Sequence, residues 1–226
     1  MSLAKPFYDV GLFTNQRDAQ QHFWAEQIGL SFDHTLKLGG GVLQHRYNAD
    51  QAVLKLNDAR DPLPVADSSI RRLTVAVPGV TEVRHLTDPD GNSVTLVPDG
   101  YEGIQGLAVE LEVADVAVSE RFYSEVLGCV LLRPGVLNCG DAQLWLKAGG
   151  AREPDVSSQL AAIGMRYLTL QVFNCDEAYA AALAGGATGA REPVTLGSTA
   201  RIAFICDPDG LWIELSERAS VTGKAV

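Results

Sequence analysis

The strongest constraint on the fold is a phrase that occurs twice. Asp88-Pro89-Asp90-Gly91 precedes SVTLV, and Asp207-Pro208-Asp209-Gly210 precedes LWIEL. In each, Pro presets φ at the second position and Gly tolerates a positive φ at the fourth, so the chain can reverse tightly into a new strand. A second phrase repeats with it. Residues 23–30 read FWAEQIGL and residues 122–129 read FYSEVLGC, with the aromatic pair and the Gly in register. Two signals in the same order define an internal duplication.

The copies resolve into smaller units. Residues 8–14 form an apolar run that reads as a strand. Residues 17–28 carry Ala19, Phe23, Trp24 and Ile28 at helical spacing, and Gly29 ends the helix. Strand-like runs over 30–38, 41–47 and 51–56 complete a β-α-β-β-β unit. A Pro-containing polar stretch over 61–69 separates it from strands over 71–77, over 82–87 and after the first DPDG.

The second copy repeats this plan with a strand over 106–113, a helix over 116–127 and strands over 129–134, 135–140 and 142–147. A Pro-containing linker over 149–158, a strand over 166–172, a helix over 176–183 and strands ending in LWIEL follow. Asn174, three residues before Glu177, suits a helix start. The copies are offset by 99 residues at Gly29 and Gly128 but by 119 at Asp88 and Asp207. The surplus falls where the second copy has its helix, so the first copy lacks one.

Composition narrows the partners. The chain has 226 residues, 46% of them hydrophobic and 20% charged, enough for two ordinary domains. A net charge of -10 directs the reading away from nucleic acid and anionic membranes. No apolar run approaches the ~18–20 residues of a membrane span, and MSLAKPFYDVG lacks the apolar core of a signal peptide. The expected location is therefore the cytoplasm. There the four cysteines (Cys129, Cys139, Cys175, Cys206), which show no CxxC spacing, are expected to be reduced and buried.

With these elements placed, the chain resembles the vicinal oxygen chelate superfamily, which includes glyoxalase I, bleomycin-resistance proteins and extradiol ring-cleaving dioxygenases. The resemblance rests on FY-x-x-x-LG in the segment from Asp115 to Gly128 and on DPDG-x-x-IEL from Asp207 to Leu215. Weaker forms, FW-x-x-x-IG and DPDG-x-x-VTL, occur in the first copy. It implies an α+β fold of paired βαβββ modules forming two cup-shaped mixed sheets, the first domain lacking one helix. The expected domains are residues 1–99 and 104–218, joined by a linker over 98–105, with a tail over 219–226. Relatives of this kind also imply a homodimer as a candidate assembly.

The resemblance further implies metal ligands on the inner faces of the cups, from the first and last strands of the modules. The corresponding positions fall at Ala108, Trp145, Tyr167 and Glu214 in the second copy and at Asp9, Lys55, Arg72 and Thr95 in the first. Only Glu214 matches a ligand. The four histidines, His22, His34, His45 and His85, all precede residue 86. The second copy can supply no imidazole, so the family's iron or zinc site is expected to be absent; a divalent metal is disfavoured, and the residues point to no other cofactor.

Strand alternation supplies the remaining candidates. If Leu107, Val109, Leu111 and Val113 face the core, then Ala108, Glu110 and Glu112 face the cup. The same parity turns Gln143, Trp145, Lys147, Tyr167, Thr169, Gln171, Trp212, Glu214 and Ser216 inward. Trp145 and Trp212 could stack on a planar ligand, with Gln143, Lys147 and Thr169 as polar contacts. Glu214, Glu110 and Tyr167 are the candidates for acid–base work, although Glu110 could simply pair with Lys147. Asp9, Lys55 and Arg72 form either an internal ion-pair network or an anion clamp, since protonated Lys and Arg do not ligate metals.

Three functions compete. One is metal-independent binding of a small aromatic or amphipathic compound in the C-terminal cup. The alternative is a divergent glyoxalase-, isomerase- or dioxygenase-type enzyme using Glu214 as an acid, a base or the one retained ligand. The third is a structural protein whose cups are filled by side chains.

Overall fold

The computed structural model describes residues 1–149 and 160–226. Four modules follow one another. The first is β1 (Leu3–Thr14), α1 (Arg17–His22), β2 (Ser31–Gly39), β3 (Val42–Ala49) and β4 (Ala52–Ala59). The second is β5 (Ile70–Ala76), β6 (Arg84–Thr87) and β7 (Ser93–Val97), with only a turn where a helix would lie. The third is β8 (Leu107–Val113), α2 (Val116–Arg121), β9 (Val130–Arg133), β10 (Val136–Cys139) and β11 (Ala142–Ala148). The fourth is β12 (Gly164–Val172), α3 (Cys175–Ala184), β13 (Thr188–Leu196), β14 (Ala200–Cys206) and β15 (Trp212–Arg218), and a short α4 (Ala219–Thr222) ends the fold. The linker expected over 149–158 lies, beyond Gly149, outside the described residues.

The repeated phrases have matching local structures. After α1 and α2 the helix widens into a π-turn, over Phe23–Gln27 and Phe122–Val126. Ile28 N donates to Phe23 O at 3.0 Å and Leu127 N to Phe122 O at 3.4 Å, and the next bonds, Leu30 N to Trp24 O and Cys129 N to Tyr123 O, are both 2.9 Å. At α3, Asn174 caps the helix as its sequence suggests, accepting from Glu177 N at 3.0 Å.

The two phrases also touch each other. Tyr123 donates its hydroxyl proton to Asp207 Oδ2 at 2.8 Å, and Ser119 donates to Asp209 at 3.2 Å. In the first copy Gln20 takes the place of Tyr123, accepting from Trp24 Nε1 at 2.7 Å and donating to Asp88 at 3.0 Å. Each leading Asp also closes its own turn; Asp207 Oδ1 accepts from the backbone of Asp209 and Leu211 at 2.9 and 2.8 Å. Burial pushes the Asp207 carboxyl up to about 6, despite these hydrogen bonds.

The sheets do not follow the halves of the chain. An eight-stranded sheet runs β13-β14-β15-β12-β1-β4-β3-β2, and a seven-stranded sheet runs β6-β7-β5-β8-β11-β10-β9. The first module thus joins the fourth through the antiparallel pair β1·β12, and the second joins the third through β5·β8. The expectation that residues 1–99 and 104–218 each close a cup of their own is corrected. Those ranges remain copies in sequence, but each sheet draws on both. One cluster of buried side chains, including Tyr8, Leu54, Leu73, Val109, Leu168 and Leu215, holds all four modules together. Tyr8, on β1, donates its hydroxyl proton to Gln143 O and accepts from Val109 N at 3.0 Å, so sheet-to-sheet contact satisfies its buried phenol.

A second correction concerns the cysteines. Cys129 and Cys139 form a disulfide, with Cα atoms 4.3 Å apart. They flank a hairpin in which Val130 pairs with Asn138, so they lie opposite one another. Cys175 and Cys206 are buried thiols, as expected. The bridge removes the cysteines as an argument for a reducing compartment. Among the described residues no helix is long and apolar enough to cross a membrane.

Candidate functional site

The eight-stranded sheet curls into a cup whose inner wall is set by register. On β12 and β15, which run parallel, Tyr167 pairs with Trp212, Thr169 with Glu214 and Gln171 with Ser216. On β1 the antiparallel pairing sets Gly11 opposite Tyr167 and Asp9 opposite Thr169. Because side chains alternate across a strand, all of these share one face. The wall therefore grades from an aromatic end, through an ionic middle, to a polar end.

The ionic middle is built around Lys55. Its Nζ lies 2.7 Å from Glu214 Oε2 and 2.6 Å from Thr169 Oγ1, and Asp9 is 3.9 Å away. Thr169 donates in turn to Glu214 Oε2 at 2.7 Å, which closes a triangle of hydrogen bonds. Burial pushes the Lys55 ammonium below its ordinary range, against the pull of Glu214 and Asp9. Burial alone would raise Glu214, but the charge of Lys55 and the hydrogen bonds from Lys55 and Thr169 outweigh it and hold that carboxyl below its usual range.

The aromatic end consists of Phe13, Tyr167, Phe204 and Trp212, with ring centroids 5.6–6.2 Å apart between neighbours. Arg191 stacks over Phe204 and Trp212, 5.6 and 5.4 Å from their centroids. The Tyr167 ring lies against Gly11, where any side chain would collide with it. Its hydroxyl accepts from Asn57 at 3.2 Å and Gln44 at 3.4 Å. Burial raises the phenol well above its ordinary range, so Tyr167 is a proton donor or a neutral contact at physiological pH, not a base.

The family's metal positions can be tested here. Register places Asp9, Lys55, Thr169 and Glu214 around one point of the wall. Thr169 takes the position that counting along the sequence gave to Tyr167, two residues away on the same face. A divalent cation would need oxygen or nitrogen lone pairs at ~2.0–2.2 Å. The ammonium of Lys55 already stands among the three oxygen-bearing side chains and donates to two of them. These residues do not fit a metal ion.

The seven-stranded sheet holds the other candidates. Arg72 lies opposite Glu110, and Glu110 lies opposite Trp145. Lys147 pairs with Glu110, and Arg72 reaches within 3.9 Å of it, so Glu110 belongs to an ion pair at the cup rim. Trp145 donates to Gln143 at 2.9 Å and packs on Ala76, Val97, Ile104 and Ala108. Ile104 comes from the linker between the copies and is fully buried. That cup's metal-equivalent positions hold Thr74, Thr95, Ala108 and Trp145.

The candidate residues are thus divided. Glu214, Tyr167, Thr169, Trp212, Asp9 and Lys55 share one cup, whereas Glu110, Gln143, Trp145, Lys147 and Arg72 share the other. Glu110 and Glu214 do not form a carboxylate pair, nor does Arg72 clamp with Lys55. The residues missed from sequence are Arg46, on β3, and Arg218, at the end of β15. Arg218 shares the parity of Glu214 and Ser216, a signal that could have found it.

A family model described as Glyoxalase/Bleomycin resistance protein/Dioxygenase superfamily matches residues 107–215. No curated protein matches the sequence significantly. Among solved structures, glyoxalase I from Zea mays is similar, with 16% identity, a TM-score of 0.74 and coverage of 93% of this chain and 92% of that one. A putative dioxygenase from Bacillus subtilis has 12% identity, a TM-score of 0.67 and coverage of 96% and 89%. At these identities the likeness is one of fold.

Proposed function

We propose, for a chain that belongs to the glyoxalase/bleomycin resistance/dioxygenase superfamily, that it binds a small aromatic or amphipathic organic compound without a metal ion. The binding cup is the one closed by the first and fourth modules, not one built from the C-terminal half alone. One observation carries the reading: Lys55 donates to Glu214 and Thr169 at the metal-equivalent point. The row of Phe13, Tyr167, Phe204 and Trp212 beside it is a buried apolar cluster whose rings a planar group would stack on. Each pair of modules closes within one chain, so a homodimer has no cup left to complete.

Protein purified without chelators should carry no stoichiometric divalent metal by elemental analysis. Native mass spectrometry should detect a small organic molecule that is lost from Trp212→Ala. One equivalent of tightly bound metal in the wild type would overturn the reading.

An enzymatic second reading is favoured by Glu214 and Tyr167 lying in the same cup. Held ionised by Lys55, Glu214 would act as a proton acceptor and Tyr167 as a donor. A substrate screen on wild type and Glu214→Gln tests it, and equal turnover by both proteins would remove Glu214 from the mechanism.

A further inference from the structure

The polar end of the same cup carries more positive charge than the fold can use. Lys5, Arg46 and Lys55 lie within 3.6–4.0 Å of Asp9, and Lys55 also pairs with Glu214. Arg218 is half-buried beside them, its charge opposed by that of Arg46 and favoured by Glu214 and Asp9, but among the described residues it makes no ion pair within salt-bridge distance. Four cations therefore share two carboxylates, in a protein whose net charge is -10. A concentration of uncompensated positive charge that is partly withdrawn from water is costly unless something negative joins it.

A second observation points the same way. Arg46 Nε, Gln171 Oε1 and Ser216 Oγ are buried and have no hydrogen-bond partner among the described residues. Arg46 is 6% exposed, Gln171 2% and Ser216 0%. Buried polar atoms in native proteins are nearly always paired, so three orphans on one wall mark a place meant for a partner from outside the chain. Register brings them together: Gln171 lies opposite Ser216, Arg46 lies opposite Lys55, and Arg218 is two residues beyond Ser216 on the same face. Arg46 and Ser216 offer donors, and Arg218 adds a guanidinium fork suited to a carboxylate. Gln171 Oε1 is an acceptor, which suits an N–H or O–H beside the acid group.

We propose that Arg46, Gln171, Ser216 and Arg218 form a carboxylate-recognition site, and that the ligand is an amphipathic organic acid whose apolar body lies along the aromatic row. This rests on the cup being a ligand site, and it adds the chemical class of the ligand. From Tyr167 to Gln171 the wall spans about 13 Å at the rise of a β-strand, so the acid and its ring are separated by a chain or a second ring.

The test uses the full chain with 6-phenylhexanoate and its neutral counterpart, 6-phenylhexanamide, titrated by calorimetry at fixed ionic strength. The acid should bind about tenfold more tightly than the amide, the scale of a hydrogen bond to a charged group. Arg218→Gln should abolish that preference by weakening the acid about tenfold, and the amide by much less. Arg201→Gln should keep it, since Arg201 is paired with Asp176 on the surface at 2.7 Å. Phe204→Ala should weaken both probes. Equal binding of acid and amide by wild type, with both weakened in Phe204→Ala, would overturn the carboxylate site and leave the cup reading standing. Absence of binding by either probe would remove both. Thermal melting of each variant confirms that it is folded before it is compared.

Discussion

Lys55 Nζ and Glu214 Oε2 lie 2.7 Å apart, although 159 residues separate them in the chain. The ammonium is 2% exposed and the carboxylate side chain 11%. Removing one partner leaves the other charged in a place water barely reaches. Lys55→Met should therefore cost about 3–5 kcal/mol in urea unfolding. Adding Glu214→Gln to Lys55→Met should recover at least about 1 kcal/mol, because the stranded charge is gone. Additive losses in the double variant would show that the pair is not coupled.

The same contact predicts a gain of function. Lys55→His replaces the ammonium with an imidazole beside the carboxylates of Asp9 and Glu214, a ligand set that zinc accepts with water in the fourth position. After dialysis the variant should retain about one equivalent of zinc and the wild type far less. A folded Lys55→His protein without metal would show that these side chains do not converge as described.

Asp207 makes stability depend on pH. Burial lifts its carboxyl from 3.8 to about 6. The folded state then holds the proton more tightly than the unfolded state, so the stability this group contributes is complete below 3.8 and is lost as pH rises through about 6. That difference corresponds to about 3 kcal/mol. Asp207→Asn keeps an oxygen for the backbone of Asp209 and Leu211 and cannot titrate. Urea unfolding between pH 4 and pH 7 should therefore lose this downward component in the variant, and an unchanged profile would assign the dependence to other groups.

Thiol counting checks the bridge. In denaturant without reductant, two cysteines should react with a chromogenic disulfide, and all four after reduction. Four reactive thiols in the unreduced protein would contradict the Cys129–Cys139 pair.

Much of this fold was legible because local signals agreed. The DPDG turns, the Asn174 cap and the missing helix of the second module each follow from a few neighbouring residues. The pairing of modules does not. β1 offers the same alternation to either neighbour, with Tyr8, Val10 and Leu12 on one face and Asp9, Gly11 and Phe13 on the other. Nothing within residues 3–14 says whether β5 or β12 lies beside it. That choice is made by packing across the whole core, and it moved half of the candidate site into the other cup. The parity of each strand survived, because an error of two residues, as between Tyr167 and Thr169, keeps the face and changes only the height along the wall.

The antiparallel pair β1·β12 also sets an order of assembly. The seven-stranded sheet draws only on residues 70–148, a continuous stretch that can close as soon as it is made. The eight-stranded sheet must hold its first four strands without their partner until β12 has been synthesised, and its outermost strands are β2 and β13. Long-range closure of this kind is slow and leaves strand edges exposed in the interval. The cup that carries Lys55 and Glu214 is thus the last part of the molecule to come into being, and a chain halted before β15 would complete one sheet and never form the site.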